Sequence, residues 1–348
     1  MAHWLKNPHR GTPIPGLEPL PSTDAQAVAD SLAACPAHAP TPLTEAPGIA
    51  AAAGVASVHV KDERGRMGLG SFKALGAAYV IAHAAQEAAP AGPDGTTLAG
   101  HTYVTASAGN HGMSVAAGAG IFGARAVIYL SETVPESFAA RLRDKGAEVV
   151  REGATYEDSM AAAERAAEDK GWTLLSDSSW PGYTDLPHRL MEGYLQLAAE
   201  AAEQIGTPPT HVLLQAGVGG LAAAVAAHAR QVWGDAPTIL VVEPEAAPAL
   251  MESLRAGRVC DTAGPVSTMG RLDCKTPSMI ALAGLSRDAD LAVTVTDDAV
   301  AAALPALARD GFETTPSGGA GLAALLDGLP GLDADSRVLA FVTEMPDG

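Results

Sequence analysis

Lys73 is the residue in this sequence best set to do covalent chemistry. It sits in Gly68-Leu69-Gly70-Ser71-Phe72-Lys73-Ala74-Leu75-Gly76, behind two glycines and at the head of a long apolar run that reads as a helix. The chain has six lysines, and the other five have plain surface explanations. Lys6 lies in an N-terminal arm, Lys61 stands beside Asp62, Lys145 and Lys170 each lie in an Asp-Lys-Gly helix ending, and Lys275 is in a polar loop. Lys73 alone has Phe on one side and Ala-Leu on the other. An amine enclosed by apolar groups has a depressed pKa, and a neutral amine can condense with an aldehyde. The plainer alternative for this residue taken alone is a lysine whose charged tip snorkels to water from a helix end.

Three further segments keep Lys73 company. Thr105-Ala106-Ser107-Ala108-Gly109-Asn110-His111-Gly112 follows the apolar Tyr103-Val104 and precedes a run rich in Ala and Gly, so it reads as a strand-to-helix turn that lets a flat ligand approach the backbone. Gln215-Ala216-Gly217-Val218-Gly219-Gly220-Leu221 follows the strand His211-Val212-Leu213-Leu214 and opens a helix from Leu221 to Val232. Glycine amides at a helix N-terminus bind phosphate. The dinucleotide spacing of three glycines is not met, because position 222 is Ala. Pro316-Ser317-Gly318-Gly319-Ala320-Gly321 offers a hydroxyl at the mouth of another helix, and alone would read as a Ser N-cap.

Taken in order, the four segments resemble the pyridoxal-phosphate enzymes of fold type II, the group of the tryptophan synthase β-subunit and threonine dehydratase. Within that group the sequence is most similar to the diaminopropionate ammonia-lyases. The likeness extends through Trp4 to Pro8, Ala39 to Leu43, Asp177-Ser178-Ser179-Trp180-Pro181-Gly182-Tyr183-Thr184, Met191-Glu192-Gly193-Tyr194, Thr268-Met269-Gly270 with Cys274, and Val338 to Glu344. The Trp-x-Gly-Tyr-Thr segment separates this family from generic threonine dehydratases.

The resemblance implies a set of roles. Lys73 carries pyridoxal 5'-phosphate and, once freed by substrate, removes the Cα proton. Gly217, Val218, Gly219, Gly220 and Leu221 hold the phosphate, Asn110 bonds the ring hydroxyl, Ser317 faces the ring nitrogen, and Phe72 packs beside the ring. Asp177 is the second catalytic group, the carboxylate that serves the L-isomer. Ser107, Ala108, Gly109, His111, Tyr183 and Thr184 face the substrate. The chain departs from the family pattern at Ala108, which stands where an acidic residue serving the D-isomer precedes Gly-Asn-His-Gly. That departure implies a preference for the L-isomer, and it makes this turn look like that of serine and threonine dehydratases.

The elements that must position these residues alternate regularly. Strands are expected at Val55 to Val60, His101 to Thr105, Arg125 to Leu130, Glu148 to Arg151, Trp172 to Ser176, His211 to Gln215, Thr238 to Val242, Leu291 to Val295 and Arg337 to Val342, with helix-period runs between them. This alternation predicts an α/β fold with parallel-rich sheets covered by helices, and ligands bound beyond the carboxyl ends of the strands. The family likeness divides it into two lobes, a large cofactor-binding lobe of residues 1–77 and 191–348 and a small lobe of residues 78–190.

Composition excludes other classes. At 348 residues the chain can build two substantial cores, and its net charge of −18 argues against nucleic acid and anionic membrane surfaces as partners. No apolar run reaches membrane-spanning length and the N-terminus has no hydrophobic signal core, so a cytoplasmic protein is expected. Cys35, Cys260 and Cys274 are too scattered for a disulfide framework, and no spacing suggests zinc or another metal. The expected protein is a homodimeric lyase that eliminates ammonia from L-2,3-diaminopropionate, giving pyruvate. A dehydratase acting on serine, threonine or a 3-hydroxy-amino acid is the alternative within enzymes. A cofactor carrier without turnover is the alternative outside them.

Overall fold

The computed structural model describes residues 3–33, 35 and 37–346. Eleven strands are found among them: β1 (Trp4–Lys6), β2 (Leu43–Glu45), β3 (Ser57–Asp62), β4 (Thr102–Ala106), β5 (Arg125–Leu130), β6 (Glu148–Arg151), β7 (Thr173–Leu174), β8 (His211–Gln215), β9 (Thr238–Pro244), β10 (Leu291–Val295) and β11 (Arg337–Val342). They form a seven-stranded sheet in the order β1-β10-β9-β8-β11-β3-β2 and a four-stranded sheet in the order β6-β5-β4-β7. Every pairing is parallel except the outermost two of the large sheet, β1 with β10 and β2 with β3.

The central strands β8 and β11 are almost wholly buried, which is why they read as unbroken apolar runs. The expected strands are all present. Sequence periodicity missed β1 and β2, three-residue edge strands too short to show alternation. Among the described residues no helix is long and apolar enough to cross a membrane.

Two helices cross where the sheets meet. The helix Lys73–Ala88 and the helix Asp185–Gly193 approach at glycines: a Cβ on Gly193 would lie 2.6 Å from the Leu75 carbonyl oxygen, and one on Gly76 would lie 2.9 Å from side-chain atoms of Leu190 and Tyr194. The expected lobe boundaries, 77/78 and 190/191, fall inside these helices. We retain that division as a proposal, with residues 78–190 carrying the small sheet and the two flanking parts the large one.

Lys61 does not have the surface setting expected of it. Its side chain is fully buried, and Nζ donates to Glu200 Oε2 at 2.7 Å, to the Thr41 carbonyl at 2.6 Å and to Gln204 Oε1 at 3.0 Å. Arg66, also fully buried, bonds Glu63 through Nε and Nη2 and Glu200 through Nη1 and Nη2. The sequence neighbour Asp62 misled the reading, since Asp62 pairs with Arg64. The real partner, Glu200, comes from the helix Leu195–Gln204, far along the chain. This cluster anchors the Glu63–Gly68 turn just ahead of Lys73.

Burial alone would raise the Glu200 pKa, but the hydrogen bonds and charges of Arg66 and Lys61 outweigh it and bring it to about 2. A folded-state pKa below the unfolded value contributes stability that is present above the unfolded pKa and lost as pH falls through the folded one. Glu200→Gln should therefore cost about 3–5 kcal/mol at neutral pH, because it leaves buried Lys61 without a carboxylate and Arg66 with Glu63 alone. Urea titrations should show the wild-type advantage over Glu200→Gln shrinking as pH drops from about 4.5 towards 2. An advantage independent of pH would remove the ionic account.

Candidate active site

The carboxyl ends of five strands from both sheets open onto one cavity of about 530 Å³. After β3 comes the turn that delivers Lys73, after β4 the turn Ser107–Asn110, after β7 the turn carrying Asp177, after β8 the glycine loop Gly217–Gly220, and after β11 Thr343 and Glu344. This is the position that the crossover geometry of parallel sheets reserves for ligands.

Lys73 occupies the first turn of its helix, and its ammonium donates a hydrogen bond to Asp177 Oδ2. Both side chains are mostly buried, 22% and 18% exposed. The expectation that apolar surroundings depress the lysine is overturned. Burial does act to lower its pKa, but the attraction of Asp177, supported by Tyr194 and by the direct hydrogen bond, carries it above the ordinary lysine value. Asp177 is correspondingly held well below the usual carboxylate range: burial opposes this, and the charge of Lys73 prevails. Lys73 also stands over the Phe72 ring, 5.5 Å from its centroid.

The turn bearing Asp177 is braced from behind. Tyr183 stacks on Trp180 with centroids 4.5 Å apart, donates to the Leu174 carbonyl at 2.8 Å and accepts from the Ser176 amide at 3.1 Å. The Ser179 hydroxyl lies 2.7 Å from that of Ser278. Tyr183 and Thr184, expected to face substrate, therefore stand outside the cavity wall. The phenol of Tyr183 is consumed in shaping the turn, and the Thr184 hydroxyl donates to its neighbour Asp185.

Ser107, Ala108, Gly109, Asn110 and His111 all line the cavity. Ser107 Oγ accepts from the amides of Gly109 and Gly112, which fixes the turn. Buried His111 places Nε2 2.7 Å from the Leu175 carbonyl oxygen, so that nitrogen is the donor and Nδ1 is the bare acceptor. Asn110 Nδ2 donates to Glu344 Oε2 at 2.6 Å. Across the cavity Gly217, Val218, Gly219, Gly220 and Leu221 form a wall, with Gly219 at φ +100° turning the chain into the helix Gly220–Trp233. A Cβ on Gly217 would lie 3.0 Å from the Arg271 carbonyl, so that strand end is packed tightly. Ser317 Oγ accepts from the Arg271 amide at 3.1 Å.

Other wall residues escaped the sequence reading of the site, among them Thr343, Glu344, Tyr194 and Cys274. Thr343 and Glu344 follow the central strand β11, and an acidic residue at that strand's carboxyl end was the available signal. Tyr194 meets Phe72 edge-on, with centroids 5.0 Å apart. Cys274, expected to be a structural thiol, lines the cavity too, and burial with the nearby Asp177 charge pushes its pKa up to about 12. Such a thiol stays protonated and unreactive.

The residues fit pyridoxal phosphate. Beside the amine and the glycine amides at a helix N-terminus, three cavity-lining groups, Tyr194 OH, His111 Nδ1 and Gln215 Oε1, are buried polar atoms with no protein hydrogen-bond partner, as a polar ligand would require. The sequence profile of the pyridoxal-phosphate dependent enzymes matches residues 34–344. The chain belongs to that family. It is 32% identical over 347 residues to diaminopropionate ammonia-lyase of Salmonella typhimurium, covering 89% of this chain and 86% of that protein. It is also 32% identical over 305 residues to a serine dehydratase-like protein of Mus musculus, covering 87% and 86% respectively. Among solved structures, Escherichia coli diaminopropionate ammonia lyase in complex with an aminoacrylate-PLP azomethine reaction intermediate superposes with a TM-score of 0.87 at 28% identity, over 99% of this chain and 94% of that one. The cofactor of the family is pyridoxal phosphate. Two lysines line the cavity; Lys275 Nζ is spent on the Ala246 and Pro265 carbonyls and Asp273, and we propose Lys73 as the anchor.

Lys73→Ala should leave the circular dichroism of the protein unchanged and remove the borohydride-reducible bond between chain and cofactor. Mass spectrometry of the reduced, digested protein checks this. A reduced cofactor found on any other lysine would assign the anchor elsewhere.

Proposed function

We propose that this chain eliminates ammonia from L-2,3-diaminopropionate, releasing pyruvate and two molecules of ammonia after hydrolysis of the enamine product. The observation that carries the proposal is the hydrogen-bonded Lys73–Asp177 pair inside the cavity, in a chain similar along most of its length to diaminopropionate ammonia-lyases. Pyridoxal phosphate, when bound, supplies the electron sink that makes the substrate Cα–H acidic.

The chain's own residues supply the rest. In this reading Lys73 is the base that takes the Cα proton. The Cβ–N bond then breaks with its electron pair going to nitrogen, and an amine leaves well only as neutral ammonia, which means departing from a protonated group. Asp177, beside Lys73, is the carboxylate that holds the β-ammonium, which leaves as neutral ammonia with its three protons while the Cα proton stays on Lys73. Asn110, Phe72, Ser317 and Gly217–Leu221 orient the cofactor, and Ser107–Gly109 with His111 border the substrate. The Ser107 turn offers the methyl of Ala108 at the position ahead of Gly109, so the D-isomer meets no carboxylate there. The working form is proposed to be a cytoplasmic homodimer taking a small amino acid. Sedimentation that gave monomers at working concentration would remove the dimer.

A second reading, dehydration of serine, threonine or another 3-hydroxy-amino acid, is favoured by Ala108 and by the likeness to serine dehydratase-like proteins. Pyruvate release from each enantiomer of diaminopropionate and from serine, and ketobutyrate release from threonine, separate the two. Wild type should act on L-diaminopropionate and be poor on the D-isomer. Asp177→Asn should lose roughly 10²–10⁴ in rate while still carrying cofactor on Lys73, and Ala108→Asp should raise D-isomer turnover. Equal wild-type rates on both enantiomers would sink the stereochemical argument. Turnover of serine or threonine alone would make the enzyme a dehydratase.

A further inference from the structure

Glu344 is a buried carboxylate at the cavity for which the acid–base reading has no task. It is 3% exposed. Oε2 accepts the 2.6 Å bond from Asn110 Nδ2, while Oε1 accepts from Arg271 Nη1 at 2.8 Å and, through a shorter contact, from the Thr315 hydroxyl. The backbone on either side is pinned to the turn ahead of Lys73: the Thr343 carbonyl accepts from the Phe72 amide at 3.1 Å, and the Met345 amide donates to the Gly70 carbonyl at 2.9 Å. Glu344 thus touches the Asn110 turn, the Arg271 loop, the Thr315 turn and the Lys73 turn.

The ion pair with Arg271 keeps Glu344 ionised, and an ionised carboxylate only accepts hydrogen bonds. A side-chain amide facing such a group must present its NH2 to it. The two ends of an amide are otherwise nearly interchangeable, so this contact decides which way Asn110 points. The second N–H of that NH2 remains for the cavity, which Asn110 lines. We propose that Glu344 is a positioning residue that locks the Asn110 amide with a donor, not an acceptor, towards the ring oxygen of the cofactor. The inference rests on the role given to Asn110 in the proposed function. Its logic is that an ionised ring oxygen is stabilised by N–H and repelled by an amide oxygen, so a free-turning amide would hold the ring less well.

Glu344→Gln reverses the lock, because a Gln at this place keeps its oxygen on Arg271 Nη1 and turns its NH2 to Asn110, which then presents its oxygen. Two readouts independent of turnover apply: the dissociation constant of pyridoxal phosphate for the cofactor-free protein, and the pH titration of the visible band of bound cofactor. Glu344→Gln should weaken cofactor binding by roughly 10–100-fold, the loss that removing an outer partner of a metal ligand causes in metal sites, and should move the titration midpoint. In an Asn110→Ala background the same change should move neither further, since the two residues act as one unit. Should Glu344→Gln fail to fold, Glu344→Asp carries the same test, keeping the charge for Arg271 and shortening the reach to Asn110. Unchanged affinity and titration, or an equal effect with and without Asn110, would overturn the inference while leaving the function standing. A wild-type protein that bound no pyridoxal phosphate would overturn the proposed function and this inference with it.

Discussion

An amine and a carboxylate facing each other in a mostly buried cavity set the terms for everything around them. Charges removed from water are costly unless paired, and pairing is strong there because little water intervenes. Lys73 and Asp177 meet this condition, and each keeps the other charged against the opposing effect of burial. Their separate supports explain why two sheets are needed. Lys73 comes from a turn anchored in the large sheet, and Asp177 from a turn at the end of β7 in the small one, so the pair bridges the sheets.

The supports are themselves polar and buried, and they repeat the same economy one layer out. Glu200 satisfies Lys61 and Arg66 beneath the Lys73 turn, Tyr183 and Ser179 hold the Asp177 turn, and Glu344 ties the end of β11 to the Asn110 turn. Glycines at the helix crossing serve a different need. Gly76 and Gly193 let the helices Lys73–Ala88 and Asp185–Gly193 approach closely, where a side chain at either would clash with the facing helix.

The sequence made some of this legible and hid the rest for physical reasons. Strands buried on both faces, such as Arg125–Leu130 and His211–Gln215, announce themselves as apolar runs, whereas β1 and β2 owe their existence to neighbours and carry no pattern. Lys73, Asn110 and the glycine loop were visible because turn chemistry and helix starts are local. The ion pair partner of Lys61 was not, since Glu200 is distant in sequence and Asp62 adjacent. The sign of the Lys73 shift was missed for the same reason: neighbours in sequence are apolar, and the neighbour in space is Asp177. Tyr183 shows the converse, a residue carried in a functional segment whose hydroxyl serves the backbone.

The strength of the pairing poses the chemical question of the site. A lysine held as ammonium is neither a nucleophile nor a base, so the pair cannot remain as it stands during a reaction. Two groups this close titrate as a unit, and their proton belongs to the pair. A substrate with a second ammonium changes the balance, because it brings a competing cation to Asp177 and frees the lysine from its anion. Once that happens, burial works unopposed on Lys73 and drives it towards the neutral amine. A hydroxyl in place of the second ammonium carries no charge to make that exchange. The same carboxylate can therefore hold Lys73 charged while no cofactor is bound to it and, once substrate has freed the lysine, favour a diamine over a hydroxy-amino acid, without any contact that reads the leaving group by shape.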